Sequence, residues 1–251
     1  MITCGGDLHI HTVLSPCASR LMRPPAIVRE AMRKGMGLIA ICDHNSAGNV
    51  QAVREASAAR GGPSVIAGME ITTREEVHVL GFFPDDVSAA AASAEVREGL
   101  PPWRAFGGTG HAGRTPEQEL VDANGATRGV EMKMLGAASQ LDLRAAVALI
   151  HRHGGLAVAA HMDRRSFSVT GQLGFLPLDV PFDGLEVSAA GAARGEARDL
   201  ARLGLPVLCS SDGHFPNEIG SGFTVLNVLE PIFTELAAAL RAKDGRRCSV
   251  A

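Results

Sequence analysis

Asp7-Leu8-His9-Ile10-His11 is the stretch whose reading decides the fold. Taken as a strand, with successive side chains on opposite faces, it places Asp7, His9 and His11 on one side and Leu8 and Ile10 on the other. Two imidazoles two residues apart on a rigid strand point at one spot, and neutral imidazole is the commonest metal ligand. A half-buried pair of histidines at a strand end accounts for this segment equally well. The flanking sequence separates the two readings.

Downstream, Pro24-Pro25 opens a helix over 26–35 that Gly35 closes. The apolar run 38–42 has the length of a parallel strand covered on both faces, and it delivers Asp43-His44. A helix over 49–59 follows, then a strand over 64–67 that runs into Gly68-Met69-Glu70, then a fourth strand over 77–83 with His78 near its start. The first 84 residues therefore read β-α-β-α-β-β. Residues 85–136 show little periodicity: an alanine-rich stretch (89–94), Pro101-Pro102 and a glycine-rich run holding His111 read as an insertion or lid, with His111 exposed. Regularity returns with a helix from Leu141 to Gly154, whose last turn carries His151 and His153 as surface residues. A strand over 156–160 ends in His161-Met162-Asp163-Arg164-Arg165. Then come a strand over 184–188, a helix over 193–203, a strand over 206–210 leading to Ser211-Asp212-Gly213-His214, a strand over 223–228 and a helix over 231–242. The whole chain, 1–251, reads as one domain.

Strand after strand thus finishes on a potential ligand. His9, His11, His44, Glu70, His161, Asp212 and His214 all fall at or just beyond the C-terminal end of an apolar run. In parallel βα folds those ends converge on one face, where barrel enzymes build their sites. Scattered structural histidines have no reason to choose the same end of each strand. The donors outnumber what one tetrahedral ion needs, so two or three ions are implied, and a carboxylate such as Glu70 can bridge two of them.

Through Asp7-Leu8-His9-Ile10-His11-Thr12, Asp43-His44, Gly68-Met69-Glu70, His78, Ala160-His161 and Ser211-Asp212-Gly213-His214, the chain resembles the PHP (polymerase and histidinol phosphatase) family of metal-dependent phosphoesterases. The resemblance covers nearly the whole chain in the family's order. It implies an α/β fold, a distorted (β/α)7 TIM-like barrel with the insertion after the fourth strand. It also implies two or three divalent ions (Mn, Fe or Zn, with Mg as an option) at the mouth and hydrolysis of a phosphate ester. Residue by residue, it implies His9, His11, Glu70 and Asp212 for a first ion and Glu70, His78 and His161 for a second. His44 and His214 would contribute to a third. Many members carry a His or Asp after the first two histidines where this chain has Ser15-Pro16-Cys17. Cys17 is either a thiolate ligand, which favours Zn or Fe, or a bystander.

The mechanism expected from such a cluster is attack on phosphorus by a hydroxide shared between two ions. Arg165 or Arg164 is the natural clamp for a phosphate oxygen, since guanidinium is a fixed fork of donors. His44 or water would protonate the leaving oxygen.

Composition narrows the substrate. A net charge of -3 argues against a general nucleic-acid surface, and with one tryptophan and no tyrosine, stacking platforms for single strands are scarce. Phe167, Phe175 and Phe215 follow the site segments and fit either a base pocket or core packing. The expected substrate is a small phosphorylated metabolite or a nucleotide, without a stable nucleic-acid complex. The sequence shows neither an apolar signal core nor an 18-residue apolar run, and its five unpaired-looking cysteines suit a reducing compartment, so the chain reads as cytoplasmic. Three alternatives stand beside this reading: an exonuclease acting on short oligonucleotides with the same site, a non-catalytic metal-binding regulatory module, and an amidohydrolase barrel.

Overall fold

The structure, a computed structural model, describes residues 1–103 and 118–250. His111 and the rest of 104–117 lie outside the described residues. Strands are β1 (Ile2–Ile10), β2 (Met36–Ile41), β3 (Ser64–Thr72), β4 (His78–Phe83), β5 (Glu119–Val121), β6 (Thr127–Val130), β7 (Leu156–Ala159), β8 (Gly184–Ser188), β9 (Val207–Ser210), β10 (Thr224–Val228) and β11 (Arg247–Val250). Helices are α1 (Pro24–Arg33), α2 (Val50–Ala58), α3 (Asp86–Glu98), α4 (Leu143–Arg152), α5 (Val169–Leu173), α6 (Ala189–Ala193), α7 (Glu196–Ala201) and α8 (Phe233–Leu240).

Nine strands form one sheet in the order β11-β10-β1-β2-β3-β4-β7-β8-β9. It curls until the segment after β9 returns to β1 through a parallel bridge between Ile10 and Gly213. The Gly213 N–H donates to His9 O at 3.1 Å, and Gly213 O accepts from His11 N–H at 3.0 Å. Seven strands therefore make a nearly closed barrel, as expected, and the β10–β11 hairpin extends the sheet from the first half of β1. β4 runs antiparallel to both of its neighbours, β3 and β7. That reversal places His78 opposite Thr72, so the start of β4 lies where β3 ends.

Strand alternation sorts the core into two layers. Leu38, Ala40, Ile66, Leu80, Phe82, Leu156, Val158 and Leu208 pack inside, with Leu236 and Leu240 of α8 joining them. Ile39, Ile41, Ala67, Met69 and Val79 pack outward against Ile27 and Val28 of α1, Val53 of α2, Ala92 of α3 and Val147 of α4. Each fully buried Leu, Ile or Val contributes roughly 1.5–3 kcal/mol.

The structure departs from the periodicity reading in several places. β1 and β2 slip register between Asp7 and Ile10, so Leu8 packs inside and Ile10 outside, and Asp7 does not share a face with His9. Asp7 instead accepts from the Ser211 and Gly220 amides. Residues 86–98, within the stretch read as an insertion or lid, form α3; alanine favours a helix yet gives no polar–apolar contrast for a pattern to show. Asp85 caps it by accepting from Ser88 N–H at 2.7 Å. The helix expected over 193–203 is confined to α7, and Gly195 at φ +84° separates it from α6, which the periodicity reading did not foresee. β11 is too short and too polar to be read as a strand. No helix among the described residues is long and apolar enough to cross a membrane.

Candidate metal centre

The barrel's open mouth gathers all nine donors named from sequence. Glu70, at the end of β3 and buried, stands at the centre. Its Oε1 lies 2.7 Å from His78 Nδ1, 3.2 Å from His161 Nε2 and 3.5 Å from His9 Nε2. Its Oε2 lies 2.9 Å from His44 Nδ1 and 3.5 Å from His11 Nε2. Asp212 Oδ1 is 3.0 Å from His11 Nε2 and 3.3 Å from His9 Nε2. Cys17 Sγ meets His214 Nε2 at 3.1 Å. Three compact donor groups result: His9, His11 and Asp212; His44, Glu70 and His78; His11, His44 and His214.

Residues behind the donors aim them. Both Glu186 oxygens lie on His9 Nδ1, at 3.1 and 3.2 Å, so that nitrogen donates and Nε2 faces the centre. Ser15 Oγ donates to Asp43 at 2.7 Å and accepts from the His44 amide, so at 2.9 Å it accepts from His11 Nδ1 as well. Asp43 is thereby a brace for the loop after β1 and takes the Thr12 amide and hydroxyl too, each at 2.7 Å. His214 Nδ1 donates to Asp212 O at 2.8 Å. Glu186 escaped the sequence reading. Its signal was a single carboxylate inside the apolar strand Gly184-Leu185-Glu186-Val187, a place charge seldom occupies without a partner.

The result is a pocket with more acceptors than protons. His9 Nε2 and His11 Nε2 face each other at 3.1 Å, an arrangement that needs positive charge between them. Glu70 Oε2, His44 Nδ1 and His161 Nδ1 are buried without a hydrogen-bond partner among the described residues. A nitrogen- and carboxylate-rich cage of this kind suits divalent metal ions. Burial alone would raise Glu70, but His78, His9 and His44 hold its carboxyl well below the usual range. Burial would likewise lower His9, yet Glu186, Asp212 and Glu70 push it well above the ordinary imidazole value. His11 goes well below that value through burial and the neighbouring His214. Burial would raise the Cys17 thiol, but hydrogen bonds from His214 and His44 bring it down to about 7.

Beside the donors opens a cavity of about 340 Å³ lined by His44, His78, His161, His214, Arg164, Arg165 and Phe167. Arg164 is tied to Asp212, Nη1 to Oδ2 at 2.5 Å. Arg165 makes no ion pair among the described residues. Phe167 stacks on His78 with ring centroids 4.6 Å apart, and its carbonyl accepts from the His78 amide. Phe175 and Phe215 are exposed and do not line this cavity. His151 and His153 lie away from it, paired with Asp183 and Glu95, which fits their reading as surface residues.

A family model described as PHP domain matches residues 7–169, and one described as PHP-associated matches 192–244. The chain is 29% identical over 281 residues to a 3′,5′-nucleoside bisphosphate phosphatase of Chromobacterium violaceum, covering 93% of this chain and 97% of that protein. It is 25% identical over 278 residues to a 5′-3′ exoribonuclease of Haemophilus influenzae, covering 90% and 97%. Among solved structures it resembles a lesion-specific endonuclease from Pyrococcus furiosus, with TM-score 0.68 and 19% identity over 98% of this chain. The chain spans 58% of that endonuclease's length, and the likeness concerns the fold.

Proposed function

The chain belongs to the PHP family, whose members are metal-dependent hydrolases, and from that premise we propose that it removes a phosphate from a small nucleotide. The observation that carries this reading is the juxtaposition of the Glu70 cage with a cavity bearing two guanidinium groups. His9, His11, Asp212 and Glu70 would hold one divalent ion, and Glu70, His78 and His161 a second. Ions bound there supply charge neutralisation for phosphoryl oxygens and lower the pKa of water towards neutrality.

The chain's own groups do the rest. Arg165, with no carboxylate partner among the described residues, grips a non-bridging phosphate oxygen. Arg164 keeps Asp212 oriented and lines the same wall. His44 faces Glu70 through Nδ1 and also reaches Cys17, so its role is to hold an ion, and the leaving oxygen takes its proton from water. A cavity of about 340 Å³ lies at the small end of the ligand-pocket range, which suits a mononucleotide better than a polymer. Likeness to the exoribonuclease supports a second reading, release of a terminal nucleotide from short RNA at the same cage.

The test is metal analysis of the purified protein together with phosphate release from nucleoside 5′-monophosphates and 3′,5′-bisphosphates, run beside an end-labelled oligoribonucleotide. Metal-dependent phosphate release from the small nucleotides is expected. Mononucleotide release from the oligomer alone would transfer the assignment to the second reading. No hydrolysis of any substrate after reconstitution with Mn, Fe or Zn would overturn both.

A further inference from the structure

At the rim of the mouth, where the loop after β1 meets the loop after β9, a sulfur joins two imidazoles. We propose that Cys17, His44 and His214 form a thiolate-containing site that takes zinc, or another borderline-soft divalent ion, in preference to magnesium or manganese. The proposal rests on the reading of this mouth as a metal centre.

The sulfur is held in place by backbone on both sides. Ala18 N–H donates to Ser15 O at 3.0 Å and Ser19 N–H donates to His214 O at 2.9 Å, so the Cys17 loop is bonded to the backbone of the histidine it meets. Because His214 Nδ1 donates to Asp212 O, its Nε2 presents a lone pair to Cys17 Sγ, 3.1 Å away. His44 reaches the same sulfur. Atoms bound to one tetrahedral zinc through S and N sit roughly 3.5 Å apart, so an ion fits here with little movement. Glu70 Oε2, buried and without a hydrogen-bond partner among the described residues, lies 2.9 Å from His44 Nδ1 and adds negative charge on the inner side.

His11 packs against both imidazoles, with ring centroids 4.2 Å from His214 and 4.6 Å from His44. Its Nδ1 is committed to Ser15, and its Nε2 faces Asp212 and His9. Three protein donors are therefore left for this ion. That is the ligand count of catalytic rather than structural zinc, with a fourth position open. His44 and His214 both line the substrate cavity, so the open position faces it. A thiolate donor selects zinc or iron, whereas magnesium and manganese favour oxygen ligands. On binding, an S–metal bond replaces the S–H bond and the proton passes to solvent.

Cobalt(II) reports the sulfur directly. Metal-stripped protein titrated with cobalt should develop a near-ultraviolet sulfur-to-cobalt charge-transfer band in addition to visible ligand-field bands. Cys17→Ser should abolish the former, keep the latter, and lower zinc content by about one equivalent. Excess manganese should fail to displace the ion that produces the band. Visible bands without the ultraviolet band in the unaltered protein would overturn the thiolate site while leaving the metal centre standing. No cobalt bound at all would overturn both. Persistence of the ultraviolet band in Cys17→Ser would assign it to another cysteine and also overturn the proposal. If Cys17→Ser fails to fold, alkylation of the unaltered protein decides: saturating zinc should protect Cys17 from iodoacetamide, and equal labelling with and without zinc would sink the site.

Discussion

Four turns at the base of the barrel and four residues at its mouth meet the same backbone problem with different residues. At the base, the turns from α1 into β2, α2 into β3, α4 into β7 and α7 into β9 reach the left-handed region with Gly35, Gly61, Gly154 and Gly204. At the mouth, Asn45, His161, Phe167 and Asp212 adopt positive φ with full side chains. Glycine takes that conformation freely; a side chain there is strained by about 1–3 kcal/mol. β3 shows the same contrast along one strand. Ile66 packs into the apolar interior, and beside the strand's first half lies a cavity of about 380 Å³ lined by Val65, Phe83, Ile232 and Phe233 together with Arg54. Four residues later on the same face, Glu70 is surrounded by imidazoles. Gly68 lies between them, where a Cβ would come within 2.7 Å of Cys42 Sγ. Stability is made at the base and given up at the mouth for chemistry.

Substitutions can break this division. Glu70→Gln should leave the chain folded and lower kcat by roughly 10³-fold or more, measured as phosphate release by metal-loaded protein. Ile66→Ala should do the reverse: about 3 kcal/mol of unfolding free energy lost in a urea titration, with kcat per folded molecule unchanged. A Glu70→Gln protein that keeps its activity, or an Ile66→Ala protein that loses it while folded, would erase the distinction.

Smaller effects sharpen it. Glu186→Gln should weaken metal binding by roughly 10–100-fold without touching an ion, because it releases His9 from its fixed orientation. Proton linkage should appear at the mouth as well. In the metal-free chain His9 is held protonated above its ordinary range, and an ion needs the lone pair that the proton occupies. Metal affinity should therefore rise with pH from the acid side through neutrality, by up to about tenfold per pH unit for each proton displaced. Calorimetry in buffers of different ionisation enthalpy would count the protons. Least of all, Gly61→Ala at the base should lower stability by about 1 kcal/mol and nothing else, since an added Cβ there meets no atom within 4 Å and only the backbone resists.

By itself the sequence determined which donor side chains stand at one end of the strands. Apolar runs ending in His9 and His11, His44, Glu70, His161, Asp212 and His214 reveal the strands and the shared face, because both are written in local periodicity and in the position of each donor within its run. Tertiary structure alone decided how those donors meet. The antiparallel course of β4 brings the first residue of that strand to the mouth; Glu186 reaches His9 across 177 residues; Arg164, and not its neighbour, takes Asp212. The slip in β1 that turns Asp7 away from His9 also arises from pairing with β2. Periodicity records which side of its own strand a side chain takes, whereas these relations depend on strands that become neighbours only when the sheet curls and closes.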